Sequence, residues 1–453
     1  MNDAELLSLK RTMTYQDLLI TPIYLAIFYF LAYVIRPSVT TPETKKYFIP
    51  ALSAKFFGAI MVGVVYQYYY NWGDTYSYFR DGRIIASYLL ESPIAVARIL
   101  FSNPENVADL SQYTSILWYF GAESEYNTTR IVAFCNLFTF NTYSASALVF
   151  ALFAFSGNWA MYRILQSRYH WVGRNLALFT LFIPSVVFWG SGIFKDTITY
   201  GALLWLFYSA FNIIEKQKLS AVNVIIFLIN FTLIFSIKKY VVLCFLPAMA
   251  IWLLHKFSGS IKNIVLKLLT LPVMIIIIVP SAYFAVDFAF KDDRRYALDN
   301  LARTAQVTAY DIRYWTGKEA GSGYTLGELD GTWGSMIRLG PEAINVSLFR
   351  PYLWEVSNPL MLLSALESLI FTILFIGLIV RKSKPLTMSL RDPTLLFMLI
   401  ISVVFAFAVG VSTYNFGTLV RYKIPLMPFF GAWLVILLNP QTRQMLRAQH
   451  TVN

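Results

Sequence analysis

The sequence predicts an all-α polytopic membrane protein, and three observations lead there. It is 57% hydrophobic and only 14% charged over 453 residues, where a soluble domain carries about 25% charged residues. Its mean hydropathy is +0.56. Apolar runs of span length recur along the chain, without the alternation over about ten residues that marks a transmembrane barrel. Aromatics make up 17%, which suits interfacial belts around a helical bundle.

The runs mark out about 11 spans, each of roughly 17–25 apolar residues. They lie near 16–35, 50–69, 144–165, 175–193, 197–214, 220–237, 240–255, 264–286, 359–380, 393–413 and 424–438. The first lacks a small-residue cleavage site and reads as a retained helix rather than a signal peptide. Cys135 and Cys244 give neither a disulfide framework nor a metal-ligand spacing. Residues 1–453 are read as one integral membrane domain.

Orientation follows from the short connections. Those after odd-numbered spans hold Arg36, Lys45 and Lys46; Arg163, Arg168 and Arg174; Lys216 and Lys218; Lys256, Lys262 and Lys267; Arg381, Lys382, Lys384 and Arg391. Arg443 and Arg447 follow the last span. The positive-inside rule makes these cytoplasmic, with the N-terminus outside and the C-terminus inside. The net charge of +12 then belongs to topology before nucleic acid. Two long connections, about 70–143 and 287–358, fall outside, and each is long enough to carry helices of its own. Candidates are 81–90, 93–101 and 292–310, the last with a stripe at Leu298, Leu301 and Ala305.

Five basic residues break the rule by lying in outer connections: Lys195, Lys238, Lys239, Arg421 and Lys423. Each sits among other unusual residues, so the reading here is that chemistry retains them. The first such stretch is Asn71-Trp72-Gly73-Asp74-Thr75-Tyr76-Ser77-Tyr78-Phe79-Arg80-Asp81-Gly82, directly after the second apolar run. Ionisable groups at that depth are rare and mark a pathway or a reaction site. Asp74 is the candidate general base, with Arg80 and Asp81 beside it and Tyr76 as an aromatic contact; Gly-Asp is also turn chemistry.

The second stretch ends one span at Trp189-Gly190-Ser191-Gly192 and begins the next with Lys195 and Asp196. Asp196 suits a helix N-terminus; Lys195 needs an anion there, either Asp196 or a phosphate held with the free N–H groups. Trp189 is a further aromatic candidate, or part of an interfacial belt. The third is Lys238-Lys239-Tyr240, whose adjacent ammonium groups call for an anion or snorkel to the headgroups. The fourth is Arg350-Pro351-Tyr352-Leu353-Trp354-Glu355. Arg350 can grip a phosphate with two parallel bonds, and Trp354 can stack on a sugar; a structural Arg350–Glu355 pair is the alternative. Glu367, inside the following span, must face the bundle or a cavity. The fifth is Asn415 to Pro425, with Arg421 and Lys423.

An acid and several cations beside aromatics, on one face, describe a site for a phosphorylated, sugar-like or headgroup substrate. No Walker-type phosphate loop or dinucleotide fingerprint is present. His170, His255 and His450 lie on the opposite face, which disfavours a histidine or zinc centre with these residues. The activated donor must then already be in the membrane, as a polyprenyl-phosphate or pyrophosphate sugar would be.

With Gly73-Asp74-Thr75-Tyr76, Trp189-Gly-Ser-Gly-Ile-Phe-Lys195, Arg350-Pro-Tyr-Leu-Trp-Glu355 and Asn415-Phe-Gly-Thr-Leu-Val-Arg421, the chain resembles the multi-spanning GT-C-fold glycosyltransferases. It equally resembles the related EpsG-like and Wzy-like polysaccharide polymerases. The resemblance implies a GT-C-like fold, a lipid-linked donor, and an acidic general base in the first outer loop, which would be Asp74. It implies as partners the membrane lipid and a polyprenyl-linked glycan, with other envelope-assembly proteins; nucleic acid is not expected. The lack of a secretory-type disulfide framework favours a bacterial inner membrane. Divalent metal dependence stays open. Two runs precede the acidic stretch where GT-C enzymes have one, which is closer to the EpsG-like layout. A transporter or flippase of an anionic lipid-linked glycan, and a non-catalytic scaffold, are the competing readings.

Overall fold

The computed structural model describes residues 13–259, 295, 297–315, 322–381, 385–442 and 444–445. Among them the chain is helical, with one isolated bridge, Gly323 to Asn415, and no strand. Among the described residues seven helices are long and apolar enough to cross a membrane, or eight if one bent pair is a single span. The chain is an all-α polytopic membrane protein. Its backbone gathers into two compact units. Unit 1 takes the residues up to Ile164, Val186–Ala210 and Ala221–Lys238; unit 2 takes Leu165–Ser185, Phe211–Ser220 and Lys239 onward.

The first half of the chain begins with two span-length helices, α1 (Tyr15–Val39) and α2 (Lys45–Tyr68). The first long connection then folds into α3 (Asp74–Ser87), α4 (Pro93–Phe101), a 3-10 turn at Pro104–Leu110, α5 (Ser111–Thr114) and α6 (Glu123–Phe138). Its elements share a core of Ile84, Ile85, Val96, Ile99, Leu100, Leu117, Tyr126 and Ala133. α3 and α6 approach closely at Gly82, where an added Cβ would lie 2.7 Å from Val132 Cγ1 and 2.9 Å from the Ala133 amide nitrogen. This long connection is thus a packed helical layer rather than a loop, because it carries enough apolar side chains to bury.

Next come α7 (Tyr143–Arg168), α8 (Arg174–Leu181), α9 (Pro184–Trp189), α10 (Lys195–Ile214), α11 (Ala221–Ile237) and α12 (Lys239–Gly259). The span expected over 175–193 is broken in two. Proline at the start of α9 cannot donate to the preceding turn, and the chain leaves helical geometry at Phe182–Ile183. α11 has 17 residues, shorter than its neighbours in the bilayer set.

The later helices are α13 (Leu301–Trp315), α14 (Trp333–Arg338), α15 (Gly340–Phe349), α16 (Pro359–Val380), α17 (Pro385–Ser389), α18 (Pro393–Thr413), α19 (Phe416–Tyr422) and α20 (Met427–Leu438). α19 and α20 are bent by 73° at their junction, so the span expected at 424–438 has a kinked entry through Arg421-Tyr422-Lys423. Asn358, Asp392 and Asn415 cap α16, α18 and α19 through their side-chain oxygens, satisfying N–H groups that the helix start leaves open. Within unit 2, α15 meets α18 where a Cβ on Gly410 would lie 2.2 Å from the Ala343 carbonyl oxygen. Only glycine permits that approach. Arg168 bridges Glu215 and Asp392 at 3.2 and 3.1 Å, and Lys256 makes a second ion pair with Glu215 at 3.0 Å.

α4 falls on the expected 93–101. α3 starts at Asp74 rather than 81, and α6 was not anticipated. The span expected over 264–286 lies outside the described residues, as does the beginning of the helix expected over 292–310; α13 and a 3-10 turn at Leu298–Asn300 occupy its later part. Cys135 and Cys244 are buried and unbridged.

Candidate functional site

Unit 1 carries a compact acidic and aromatic patch built on the start of α3. Asp74 is the first residue of that helix and is exposed, the position where a carboxylate gains from the macrodipole. Gly73 precedes it with φ of +151°, which favours glycine. Its backbone lies against the Tyr66 ring, so that an added Cβ would stand 2.3 Å from Tyr66 Cε1. The Tyr66 ring also lies 6.4 Å from Tyr76, 6.4 Å from Trp189 and 5.6 Å from Phe194. A single tyrosine of α2 therefore stands between the Asp74 turn and the Trp189–Lys195 turn. Two stretches far apart in sequence converge on it.

The second wall is the segment 116–119. Arg80 and Asp81, adjacent on α3, form a buried ion pair at 2.7 Å. Arg80 also donates to the Ile116 carbonyl at 3.2 Å, and its guanidinium lies 4.2 Å from the Trp118 ring centre. Asp81 Oδ2 accepts the Tyr119 backbone N–H at 3.0 Å. Arg80 and Asp81 are thus not substrate ligands, as the sequence suggested, but the clamp that fixes this segment; burial to 8% and 0% exposure leaves them no surface to offer. Burial raises the Asp81 carboxyl, against the lowering pull of the Tyr119 amide and Arg80.

Tyr119 is where the charges meet. Burial, then the Asp74 carboxylate, push its phenol up to about 12, with smaller contributions from Glu125 and Asp81 and an opposing hydrogen bond from Ser77. Three carboxylates therefore act electrostatically on one phenol. Asp81 is paired with Arg80 and Glu125 with Lys195. Asp74 is the exposed member of the three.

Lys195 opens α10 as expected, but its partner is Glu125, with the Ser124 hydroxyl at 3.4 Å. Asp196 pairs with Lys238 instead, and both are buried. That pair joins the start of α10 to the residue after α11, a structural use for two residues the sequence offered as phosphate ligands. Trp189 and Tyr76 are also interior: they are 7% and 2% exposed, and the Tyr76 hydroxyl donates to the Gly63 carbonyl at 2.6 Å. Their large rings fill the space between helices, so neither offers a face to sugar.

Sequence reasoning missed Lys55. It lies inside α2, 1% exposed, and donates to the Val186 and Gly190 carbonyls at 2.9 Å each, with the Tyr200 ring centre at 4.6 Å. It adds a second bond to the Val186 carbonyl, which also accepts the Gly190 N–H at 3.1 Å, and one to the Gly190 carbonyl where α9 ends. A lone lysine in an apolar run was the available signal. Trp72 and Trp118, described further below, were also missed as site residues.

Unit 2 holds the other constellations. Arg350 ends α15, is joined to Pro351 by a cis peptide bond, and makes a forked bond to Glu355, two of its contacts being 3.1 Å. Its guanidinium lies 5.3–5.8 Å from the ring centres of Phe416, Tyr324 and Tyr352. Tyr352 stacks on Trp354 at 4.8 Å, and Trp354 is 81% exposed. This is the structural Arg–Glu pair with one open aromatic face. Lys423, just past α19, is buried and donates to the Arg350 carbonyl at 3.3 Å. Glu367 of α16 is buried and accepts from the Ser185 N–H and hydroxyl, both at 2.7 Å. Arg421 is half-buried in α19. Lys239 and Tyr240 begin α12 and are half-buried. The sequence-derived set therefore divides, with Asp74, Arg80, Asp81, Lys195, Asp196 and Lys238 in unit 1 and Lys239, Arg350, Glu355, Arg421 and Lys423 in unit 2.

Compared with protein-family models, curated proteins and solved structures, the chain matches none.

Proposed function

We propose that this chain is a membrane-integral glycosyltransferase or polysaccharide polymerase. It transfers a sugar or glycan from a polyprenyl-(pyro)phosphate carrier to an acceptor at the extracytoplasmic face of a bacterial inner membrane. The observation that carries the reading is the exposed Asp74 carboxylate at the start of α3, set beside the Tyr119 phenol and the Trp72 indole at the surfacing end of α2. An acid in that place has a clear task. It removes the proton from an acceptor hydroxyl as the hydroxyl oxygen attacks the anomeric carbon. The bond from that carbon to the carrier phosphate oxygen breaks, and the carrier leaves as a phosphate or pyrophosphate anion.

We assign Lys195, a cation of the same unit, to meet that anion by exchanging its Glu125 partner for phosphate; its partly exposed pair with Glu125 supports this. Arg350, Arg421 and Lys423 are cations of the right type in unit 2. Electrostatic positioning of this kind supplies several kcal/mol of barrier lowering, about 3–4 kcal/mol for one well-aimed donor.

The test is Asp74→Asn and Asp74→Glu in the full chain, assayed in membranes for growth of lipid-linked glycan. The expected result is loss of product by at least about 100-fold for Asp74→Asn, with normal insertion and thermal unfolding. Unchanged product removes Asp74 as the base.

A transport reading is favoured by a separate observation, the burial of Lys55 and Glu367 inside apolar helices; charges at that depth also line transport paths. Movement of a lipid-linked glycan across proteoliposomes with no chemical change would favour it.

A further inference from the structure

Two tryptophans of the Asp74 patch are held in place, Trp72 half-buried and Trp118 open. Trp118 is 57% exposed, but it is not a loose side chain. Arg80 lies 4.2 Å from its ring centre, and Arg80 is itself fixed by the buried bond to Asp81. The backbone of the next residue is tied to Asp81 as well. Trp72 packs on Trp118 with ring centres 5.7 Å apart and planes at 63°. Its indole N–H donates to Ser77 Oγ at 3.1 Å, which fixes the second ring. Two indoles at an angle, both locked from behind by α3, make a shallow V within the same patch as Asp74 and Tyr119.

A tryptophan that only anchors a helix at the lipid interface needs no such fixing, since any orientation at headgroup depth serves. Rigid aromatic anchors are what a binding site needs, because a preordered ring loses little entropy when it is covered. The neighbouring polar groups set the class of ligand. A carboxylate that accepts and a phenol that donates, next to open apolar faces, match a molecule whose faces are C–H and whose edges are hydroxyl. A pyranose ring has that chemistry.

We propose that Trp72 and Trp118 form a platform for one pyranose ring of the acceptor glycan, placing a ring hydroxyl at Asp74. The platform rests on the glycosyl-transfer reading of the same patch, and gives that reading its substrate class on the acceptor side. Arg80 and Asp81 are positioning residues for it, acting through Trp118 and Tyr119.

The experiment uses the full chain in lipid nanodiscs and saturation-transfer NMR with four neutral disaccharides: cellobiose, maltose, lactose and diacetylchitobiose. Transfer to the C–H protons of one ring is expected for at least one of them. Trp118→Ala should weaken that binding about tenfold, and Trp118→Phe only about two- to threefold, as a smaller ring keeps part of the stacking. No transfer from any of the four, or equal binding by wild type and Trp118→Ala, overturns the platform. Loss of nanodisc retention by Trp118→Ala with sugar binding intact assigns Trp118 to the lipid interface and also overturns it. Failure of the base assignment is distinct: Asp74→Asn would then keep full turnover while Trp118→Ala still loses sugar.

Discussion

Asp81 accepts the backbone N–H of Tyr119 through one carboxylate oxygen at 3.0 Å and holds Arg80 through the other at 2.7 Å. One buried acid thereby ties the helix that begins at Asp74 to a segment 38 residues further on. The exposed residues Asp74 and Trp118, with the half-buried Trp72 between α2 and α3, owe their mutual arrangement to groups that themselves have almost no surface.

Breaking this clamp is costly, because the surviving partner is left charged and buried. Asp81→Asn is expected to lower stability by about 3–5 kcal/mol, and to free the Tyr119 amide for hydrogen exchange well before global unfolding. The paired change Arg80→Met with Asp81→Leu should recover most of the stability but not the placement of Trp118. Unaltered Tyr119 protection in Asp81→Asn would contradict the clamp.

Gly73 and Gly121 offer a matched comparison. Gly73 has φ of +151° and Tyr66 Cε1 at 2.3 Å from an added Cβ, whereas nothing lies within 4 Å of a Cβ on Gly121. Gly73→Ala should cost about 1–3 kcal/mol as overpacking and shift the Asp74 turn, with part of the loss relieved by Tyr66→Ala. Gly121→Ala should stay within about 0.5 kcal/mol. Chemical unfolding of the two variants checks this, and equal midpoints would refute it.

Lys195 and Glu125 make a pair with 21% and 29% of their side chains exposed, open enough to exchange partners. Glu125→Gln is expected to raise affinity for inorganic pyrophosphate about three- to tenfold, since a competing carboxylate is removed and tenfold corresponds to ~1.4 kcal/mol. Lys195→Met should abolish the gain. Calorimetry that gives one affinity for all three proteins would take Lys195 out of the donor site.

Asp330 supplies a pH signature away from the candidate site. Hydrogen bonds from Ser335 and Thr332 lower its carboxyl from 3.8 to about 2; the Thr332 hydroxyl and N–H reach it at 2.6 and 2.9 Å. The folded state binds this proton less readily than the unfolded chain does. Its contribution to order in the 330–335 turn is therefore present above pH 3.8 and lost as pH falls from there through about 2. Amide exchange at Thr332 and Ser335 should quicken across that window, and Asp330→Asn should flatten the response. A wild-type profile flat over the same range would rule it out.

Features that depend on local composition were readable in the chain. α4 falls at 93–101, where Ser92-Pro93 is a helix-start signal followed by apolar residues. Lys195 falls at a helix start as expected, because Gly190-Ser191-Gly192 turns the chain between two apolar runs. α3 was begun too late because residues 75–82 are all buried, polar and apolar alike, so no stripe distinguishes an inner face. α6 begins with the polar run Glu-Ser-Glu-Tyr-Asn-Thr-Thr-Arg, which carries no apolar stripe to mark a helix, although its Asn127 and Ser124 side chains bond to carbonyls at the end of α11 at 3.0 and 2.5 Å. The break in 175–193 was hidden by its apolar content, which is the same for one helix or two short ones.

By itself, then, the sequence determined the solvent of this protein, the helical class, most span positions and the residue types that gather beyond α2. Burial preference and helix signals are local properties, and a single chain displays them. Which cation pairs with which acid was decided only by the tertiary structure. Lys195 chose Glu125 and Lys238 chose Asp196, although Lys195 and Asp196 are neighbours in sequence. Adjacent side chains on a helix diverge by about 100° around its axis, so each turns to the surface that the fold brings to it. The same geometry sent Tyr76 and Trp189 inward and left Trp118 open beside Asp74.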